Sequence, residues 1–366
     1  MPKRLPAGAV VVVTGATGHL GQVLVDRLLR TEAESEPCGI ELRTLARRPL
    51  PPALLASAPI EGQAGPSLGG VPASSRSSGA PTGRRLVRRL VHTCADIRSQ
   101  AAREAIEDVD LVFHLAAQVW RGRGAGADEE MRSVNVDGTL NVLAGRPKAV
   151  VLASSAAVYG AWPDNPLPLD ENCAPRPNRE CPYAQHKLLA ERDVARAAKA
   201  WTVLRICSVL GPHADQRVSR SLVGYRLGVP EVRGYPQALQ WLDEADAAEA
   251  LVRAGADLLG PAKAKGEVLN VATWDWTGAP DIARVAASRV LRAPRRAVFV
   301  AAELGKRVGL SPFGADRAAL ICGPLALSPA KATRLLSWQP KLSSQAVLAA
   351  ALAGGWKGAP RNREPR

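Results

Sequence analysis

The sequence predicts an α/β protein built on a doubly wound parallel sheet. Three observations carry that prediction. Short, continuously apolar runs recur along the chain: AVVVV at 9–13, VDLVFHL at 109–115, AVVLAS at 149–154 and WTVLRIC at 201–207. Stretches with helical patterning separate them, and strands that are apolar throughout are those buried on both faces of a parallel sheet. The first run also passes through Gly15, Gly18 and Gly21 directly into a helical stretch at about 19–30, as a strand–turn–helix unit would.

The remaining elements follow in order. ELRTLARR at 41–48 reads as a second strand and its exit. Residues 49–84, which include GPSLGGVPASSRSSGAPTG, hold too little apolar surface to offset the entropy of ordering them. That stretch is expected to be a mobile insertion. Strand signals resume with LVRRLVH at 86–92, and a helix is expected from Tyr183 to Lys199. Past about 208 the pattern shortens, with strand-like VLNVA at 268–272 and helices near 278–292 and 343–353. The pattern divides the chain into a first domain over 9–207 and a smaller C-terminal α/β lobe over 208–355. Strands near 239–243 and 268–272 are expected to return to the core of the first domain, and 356–366 to be a frayed tail.

With 366 residues and 46% hydrophobic content, the chain can bury one large core or two fused lobes. Its 48 basic residues outnumber 34 acidic ones, giving a net charge of +14 that raises the question of nucleic acid. The local excess is Arg76, Arg84, Arg85, Arg88, Arg89, Arg98 and Arg103, and no aromatic residue interleaves with it. A stacking platform for bases is therefore missing, and no nucleic-acid partner is expected. Six widely spaced cysteines form no CxxC pair or metal-like grouping, so no metal site is expected. Cys94 and Cys207 border apolar runs and read as small core residues. No run of 18 apolar residues is present to span a bilayer. The expectation is a cytoplasmic protein with a small-molecule substrate, no membrane partner, and a homodimer left open.

The chemistry concentrates in three places. VVVVTGATGHLGQVLVDRLL has the spacing G-x-x-G-x-x-G straight after a strand. Glycines there let the backbone approach a pyrophosphate, whose charge then sits on the amides of a helix N-terminus. The second strand ends TLARRP, with Arg47 and Arg48 where an acid would hydrogen-bond the ribose of NAD. Arginine there accommodates a 2′-phosphate, so NADP is favoured and NAD remains possible. CPYAQHKLLAERD puts Tyr183 and Lys187 four positions apart, on one face of a helix.

TGATGHLG, ADIRS, VFHLAA, NVDGTLNVL, SSAAVYG and the Tyr183/Lys187 pair, in this order, resemble the extended short-chain dehydrogenase/reductase family of NAD(P)-dependent epimerase/dehydratase type. LRICSVLGP, LQWLDEADAAEAL and GEVLNVA match later landmarks, so the resemblance covers most of 9–345 apart from the insertion. It implies a Rossmann-type cofactor domain followed by a substrate lobe. It also implies that Gly15, Thr17, Gly18, His19, Leu20 and Gly21 form the cofactor turn. Asp96 with Ile97 would meet the adenine, while Leu115, Ala116 and Ala117 would face the cofactor. Asn135 stands at the family's asparagine position. Ser155 falls on the catalytic Ser/Thr, and Tyr183 and Lys187 on the YxxxK pair, which also contacts cofactor. Ser154, Ser155 and Ser208 are the substrate-side candidates. A free phenol ionises near pH 10, and a lysine one turn away favours its phenolate.

Several residues depart from the family pattern. Ser155-Ala156-Ala157 replaces the Thr-Asp-Glu of family 4,6-dehydratases, which removes the acid that dehydration needs. Ser208 stands where sugar-nucleotide enzymes have Asn, Cys181 where many relatives have Asn, and Leu239 where a diphosphate-binding Arg is found. Arg205, Arg217, Arg220, Arg226 and Arg233 are the available substitutes. Three functions are compatible: an NADP-dependent reductase or dehydrogenase, a nucleotide-sugar 4-epimerase with retained cofactor, and a non-catalytic dinucleotide sensor. The sensor should lack Tyr183 or Lys187, and both are present.

Overall fold

Seven parallel strands drawn from the apolar runs form the central sheet of the computed structural model, which describes residues 4–30, 39–56, 87–119, 126–308 and 314–354. The first six are β1 (Val10–Thr14), β2 (Ile40–Ala46), β3 (Val87–Cys94), β4 (Leu111–His114), β5 (Ala149–Ser155) and β6 (Trp201–Ile206). Four short strands follow: β7 (Ser208–Leu210), β8 (Val229–Val232), β9 (Ala238–Leu239) and β10 (Trp241–Asp243). β11 (Glu267–Val271) rejoins the large sheet, and β12 (Val290–Ala293) and β13 (Pro324–Leu325) complete the set. Helices α1 (His19–Arg30), α2 (Pro52–Ala56), α3 (Gln100–Glu104), α4 (Ala127–Arg132), α5 (Gly138–Ala144) and α6 (Pro182–Ala197) lie in the first part of the chain. The later part adds α7 (Gln216–Gly224), α8 (Glu244–Leu258), α9 (Ala279–Val285) and α10 (Arg295–Arg307). It ends with α11 (Ala315–Ile321), α12 (Ala330–Leu336) and α13 (Ser344–Leu352).

The sheet order is β11-β6-β5-β4-β1-β2-β3. Chain direction across the sheet reverses between β1 and β4, and such a switch point opens a crevice at the carboxyl ends of the strands. Val11, Val12, Val13, Leu111, Val112, Phe113, Val150, Val151 and Leu152 are fully buried, the outcome for strands covered on both faces. α8 packs against α1, β5 and β6, so a helix from the later sequence closes one face of the first domain. Among the described residues no helix is long and apolar enough to cross a membrane.

The expected parallel α/β sheet is present, and several local expectations change. The 268–272 segment pairs with β6 from Glu267↔Thr202 to Val271↔Ile206. The 239–243 segment stays outside the large sheet: β10 pairs with β7 and β9 with β13. Alternation explains the split, because Leu239 and Trp241 point into the smaller lobe's core while Leu242 packs in the main one. The start of the expected insertion is ordered by Leu50 and Leu54, which bury in the main core around α2; its stretch 57–84 lies outside the described residues, as does the tail 356–366. Cys94 is exposed, because β3 is the edge strand, whereas Cys207 is buried as expected. The helix expected over 278–292 stops at Val285, and β12 takes the remainder by pairing with β8.

Candidate active site

β1 ends at Thr14, and Gly15 follows with φ of +70°, in the left-handed region. A Cβ on Gly15 would also lie 2.8 Å from the Ala116 backbone. At Gly21 a Cβ would collide with the Gly15 carbonyl, so only glycine lets α1 pack this close to the turn. The turn is held by its backbone: Gly15 N–H donates to the Leu45 carbonyl at 2.8 Å and Gly18 N–H to the Gly15 carbonyl at 2.9 Å. Gln22 donates to the Thr17 carbonyl at 2.9 Å, and Leu20 packs on the main core. The result is a tight backbone turn, closed by glycines, at a helix N-terminus, which fits a dinucleotide pyrophosphate.

The loop after β4 is fixed by a buried hydrogen-bond chain. Leu115 and Ala116 N–H groups both donate to the Thr14 hydroxyl at 3.2 Å. Thr139 donates its hydroxyl to the Asn135 carbonyl at 2.7 Å, so it accepts from Nε2 of His114 at 3.0 Å. Nδ1 then accepts from the Thr14 hydroxyl at 2.9 Å. Burial, with the nearby Lys187 charge, pushes His114 down to about 3, keeping the ring neutral. Asn135 lies in a π-helical turn, Ser133–Asp137. Its amide oxygen accepts from Gln118 N–H at 2.6 Å and its amide nitrogen donates to the Gln118 carbonyl at 3.0 Å. Asn135 thus pins the loop that carries Leu115, Ala116 and Ala117 against Gly15.

Arg47 and Arg48 form an exposed bend at the end of β2. Asp96 is spatially close: its carboxyl lies below the usual range chiefly through hydrogen bonds from Arg98, with the Arg47 charge assisting. The Arg98 fork reaches Asp96 at 2.8 and 2.9 Å. Ile97 is buried against Gly138, where a Cβ would come within 2.6 Å of it.

Ser155 ends β5 and caps a single 3-10 turn, accepting from Ala157 N–H at 3.2 Å. Pro182 occupies the first turn of α6, where its missing N–H costs nothing, and Tyr183 follows it. The Tyr183 residue keeps partial exposure, yet its hydroxyl is packed deeply enough that burial pushes its pKa up; the Arg317 charge and, less strongly, the nearby Ser155 hydroxyl oppose that rise. Lys187 is buried and donates to the Ala153 carbonyl at 2.7 Å. Burial lowers the ammonium to about 8, against the raising effect of Glu191. The structure brings Ser155 and Tyr183 together, with Lys187 one turn further along α6.

Ser154 points the other way. Adjacent strand residues face opposite sides of the sheet, and the Ser154 hydroxyl donates to Glu191 at 2.5 Å. Glu191 also receives the Arg205 fork at 2.7 and 3.1 Å. The Arg205 guanidinium lies 4.7 Å from the Tyr159 ring centroid, and the Tyr159 hydroxyl donates to Asn270 at 3.0 Å. This buried ion pair lies directly behind Lys187, and motif reading missed Glu191 altogether. Ser208 is exposed on β7, paired with Trp241 in the small sheet. Leu239 is a core residue of the smaller lobe. Of the arginines offered as substitutes, Arg205 is committed to Glu191 and Arg226 donates to the Leu352 carbonyl at 2.9 Å. Arg217 and Arg233 are exposed, and the Arg220 side chain is outside the described set.

His19 of the glycine turn reaches across the molecule to Glu244 at the start of α8, at 2.8 Å, and His213 reaches the same carboxylate at 2.7 Å. Burial alone would raise Glu244, but the two imidazoles hold it at about 2, while hydrogen bonding to Glu244 raises His213. A depressed carboxyl stabilises above its unfolded pKa, near 4.5, and loses that contribution as pH falls through about 2. A raised histidine stabilises below its unfolded value, near 6.5, and loses that contribution as pH rises through its folded pKa. The clamp is therefore strongest between roughly pH 4.5 and 6.5. Glu244→Gln should lower the melting temperature most in that window and progressively less towards pH 8. A pH-independent loss would show that the histidine charges contribute nothing.

Comparison with known proteins agrees with this layout. A model of the NAD dependent epimerase/dehydratase family matches residues 11–272. An uncharacterized protein of Mycobacterium tuberculosis is 33% identical over 172 residues, 44% of this chain and 45% of that protein; the chain spans about half the length of such relatives. An uncharacterized protein of Sinorhizobium fredii is 26% identical over 267 residues, 68% of this chain and 63% of the relative. Among solved structures, MoeE5 in complex with UDP-glucose and NAD superposes with a TM-score of 0.62 at 22% identity, covering 94% of this chain and 98% of that one. The UDP-glucose 4-epimerase of Thermotoga maritima gives 0.61 at 18% identity, covering 94% and 97%. These structures share the fold, and the family match extends over most of the chain. The chain belongs to the NAD-dependent epimerase/dehydratase family.

Proposed function

We propose that the chain is an NADP-dependent reductase or dehydrogenase acting on a substrate carbonyl or alcohol, with Ser155, Tyr183 and Lys187 handling the proton. The observation that carries this reading is the placement of the Ser155 hydroxyl, at the carboxyl end of β5, close enough to the Tyr183 phenol to favour its ionised form, with the buried Lys187 one turn along α6. The glycine cradle and the pinned loop after β4 are suited to hold the dinucleotide, whose nicotinamide supplies or receives the hydride. Ser155 aligns the substrate oxygen. Tyr183 gives that oxygen a proton or takes one from it. Lys187, one turn along α6 from Tyr183, can turn from the Ala153 carbonyl to a cofactor hydroxyl.

A nucleotide-sugar 4-epimerase is the second reading, favoured by the UDP-glucose named for two of the solved structures. Against it, Leu239 fills core where a diphosphate-binding arginine would stand, and Arg205 is held by Glu191. An ordered charge-assisted phosphate contact is a strong anchor to lose. Turnover and thermal-shift screening with NADPH, NADH, ketones and sugar nucleotides separates the two. Strict dependence on added NADPH supports the reductase; cofactor retained through purification, with sugar-nucleotide turnover, supports the epimerase.

Cofactor choice rests on Arg47, exposed at the end of β2 beside Asp96. NADPH should bind more tightly than NADH. Arg47→Asp should weaken NADPH roughly ten- to hundredfold, the scale of about 1.5–3 kcal/mol for a hydrogen bond to a charged group, and narrow or reverse the preference. Equal or tighter NADH binding by the unmodified protein would refute this choice.

A further inference from the structure

α11 belongs to the smaller lobe, beyond residue 272 where the family match ends, and it places a second cation at the acid/base site. The Arg317 guanidinium lies over the Tyr183 ring, 5.6 Å from its centroid. The same group donates to the Val119 carbonyl at 2.9 Å, on the loop that Thr14 and Asn135 hold against the glycine turn. Tyr183 and Arg317 share the wall of a cavity of about 140 Å³ with Val119, Met131, Glu180 and Lys306. Two lobes therefore meet at the phenol.

We propose that Arg317 is a positioning residue acting through Tyr183: it clamps the phenol ring to the Val119 loop and carries the positive charge that the ionised phenol needs. This rests on the assignment of Tyr183 as the proton-transfer group. Lys187 is the expected source of that charge, but its ammonium is donated to the Ala153 carbonyl and burial brings it down to about 8. An arginine, by contrast, stays charged throughout the working range. Burial pushes the Tyr183 phenol up; Arg317 opposes this most strongly, Cys181 adds to it, and Ser155 assists ionisation by hydrogen bonding. Among the described residues, the other charged groups facing this space are Glu180, Glu303 and Lys306, which line the same cavity. A guanidinium over an aromatic face also gains from the ring quadrupole, which fixes the ring's orientation as well as its charge.

The test needs neither substrate nor cofactor. The chain has four tyrosines, so nuclear magnetic resonance of protein labelled at the hydroxyl-bearing ring carbon gives four signals, and Tyr183→Phe identifies one by its loss. Its titration is then followed in Arg317→Met, which keeps an unbranched apolar side chain of similar length, in Arg317→Gln, and in Arg317→Lys. The two charge-removing variants should move the Tyr183 midpoint up by about 1–3 pH units, the effect of an opposite charge at this range. Arg317→Lys should stay near the parent value. A midpoint unchanged in either charge-removing variant, with circular dichroism matching the parent, overturns the proposal. Turnover of Tyr183→Phe is read separately, so a phenol that titrates independently of Arg317 sinks this inference and leaves the assignment of Tyr183 standing.

Discussion

Replacing Tyr183 by Phe is expected to lower turnover by roughly 10²–10⁴-fold, the loss that follows removal of a general acid or base. The substitution keeps the ring that packs against the main core and lies beneath Arg317. Only the hydroxyl that faces Ser155 is removed. Cofactor affinity should persist, because the glycine cradle and the pinned loop after β4 are untouched. Lys187→Met should harm both turnover and binding, since a part in both is proposed for this ammonium, one turn along α6 from Tyr183. Ser155→Ala should reduce turnover with binding intact. Near-normal turnover in Tyr183→Phe would remove the proton-transfer role proposed for it.

The second large effect is on stability. Glu191 and Arg205 are both buried and joined by three hydrogen bonds. Glu191→Ala leaves the Arg205 charge buried with its fork unmatched, and takes the acceptor from Ser154. Breaking a buried pair from one side costs about 3–5 kcal/mol. Urea denaturation should show a loss of that size in Glu191→Ala. The double replacement Glu191→Leu with Arg205→Met should recover much of it, because an apolar pair leaves no uncompensated charge. A loss below about 1 kcal/mol in the single variant would mean that water reaches Arg205 and that the pair is not part of the core.

Some of this arrangement is legible in the sequence because it is local. The valine run, the glycine spacing and the Tyr183–Lys187 interval each express geometry within one or two turns of chain. Glu191 was equally accessible: it continues the Tyr183–Lys187 face at the next helical turn, and Arg205 inside WTVLRIC is a charge in an apolar strand that demands a partner. The His19–Glu244 contact spans 225 positions, and no periodicity reports it. Arg317 is hidden for the same reason, since its helix reaches the site only once the smaller lobe is folded against the sheet. Leu239 shows the opposite case: a missing arginine is visible in sequence, but only the second core cluster explains why leucine is needed there.

Isothermal titration of the full chain with NADPH and NADH, repeated for Tyr183→Phe and Lys187→Met, tests the central claim most directly. Saturable one-to-one binding is expected, tighter for NADPH, preserved in Tyr183→Phe and weakened in Lys187→Met. Absence of saturable binding for both dinucleotides by the folded protein would contradict it.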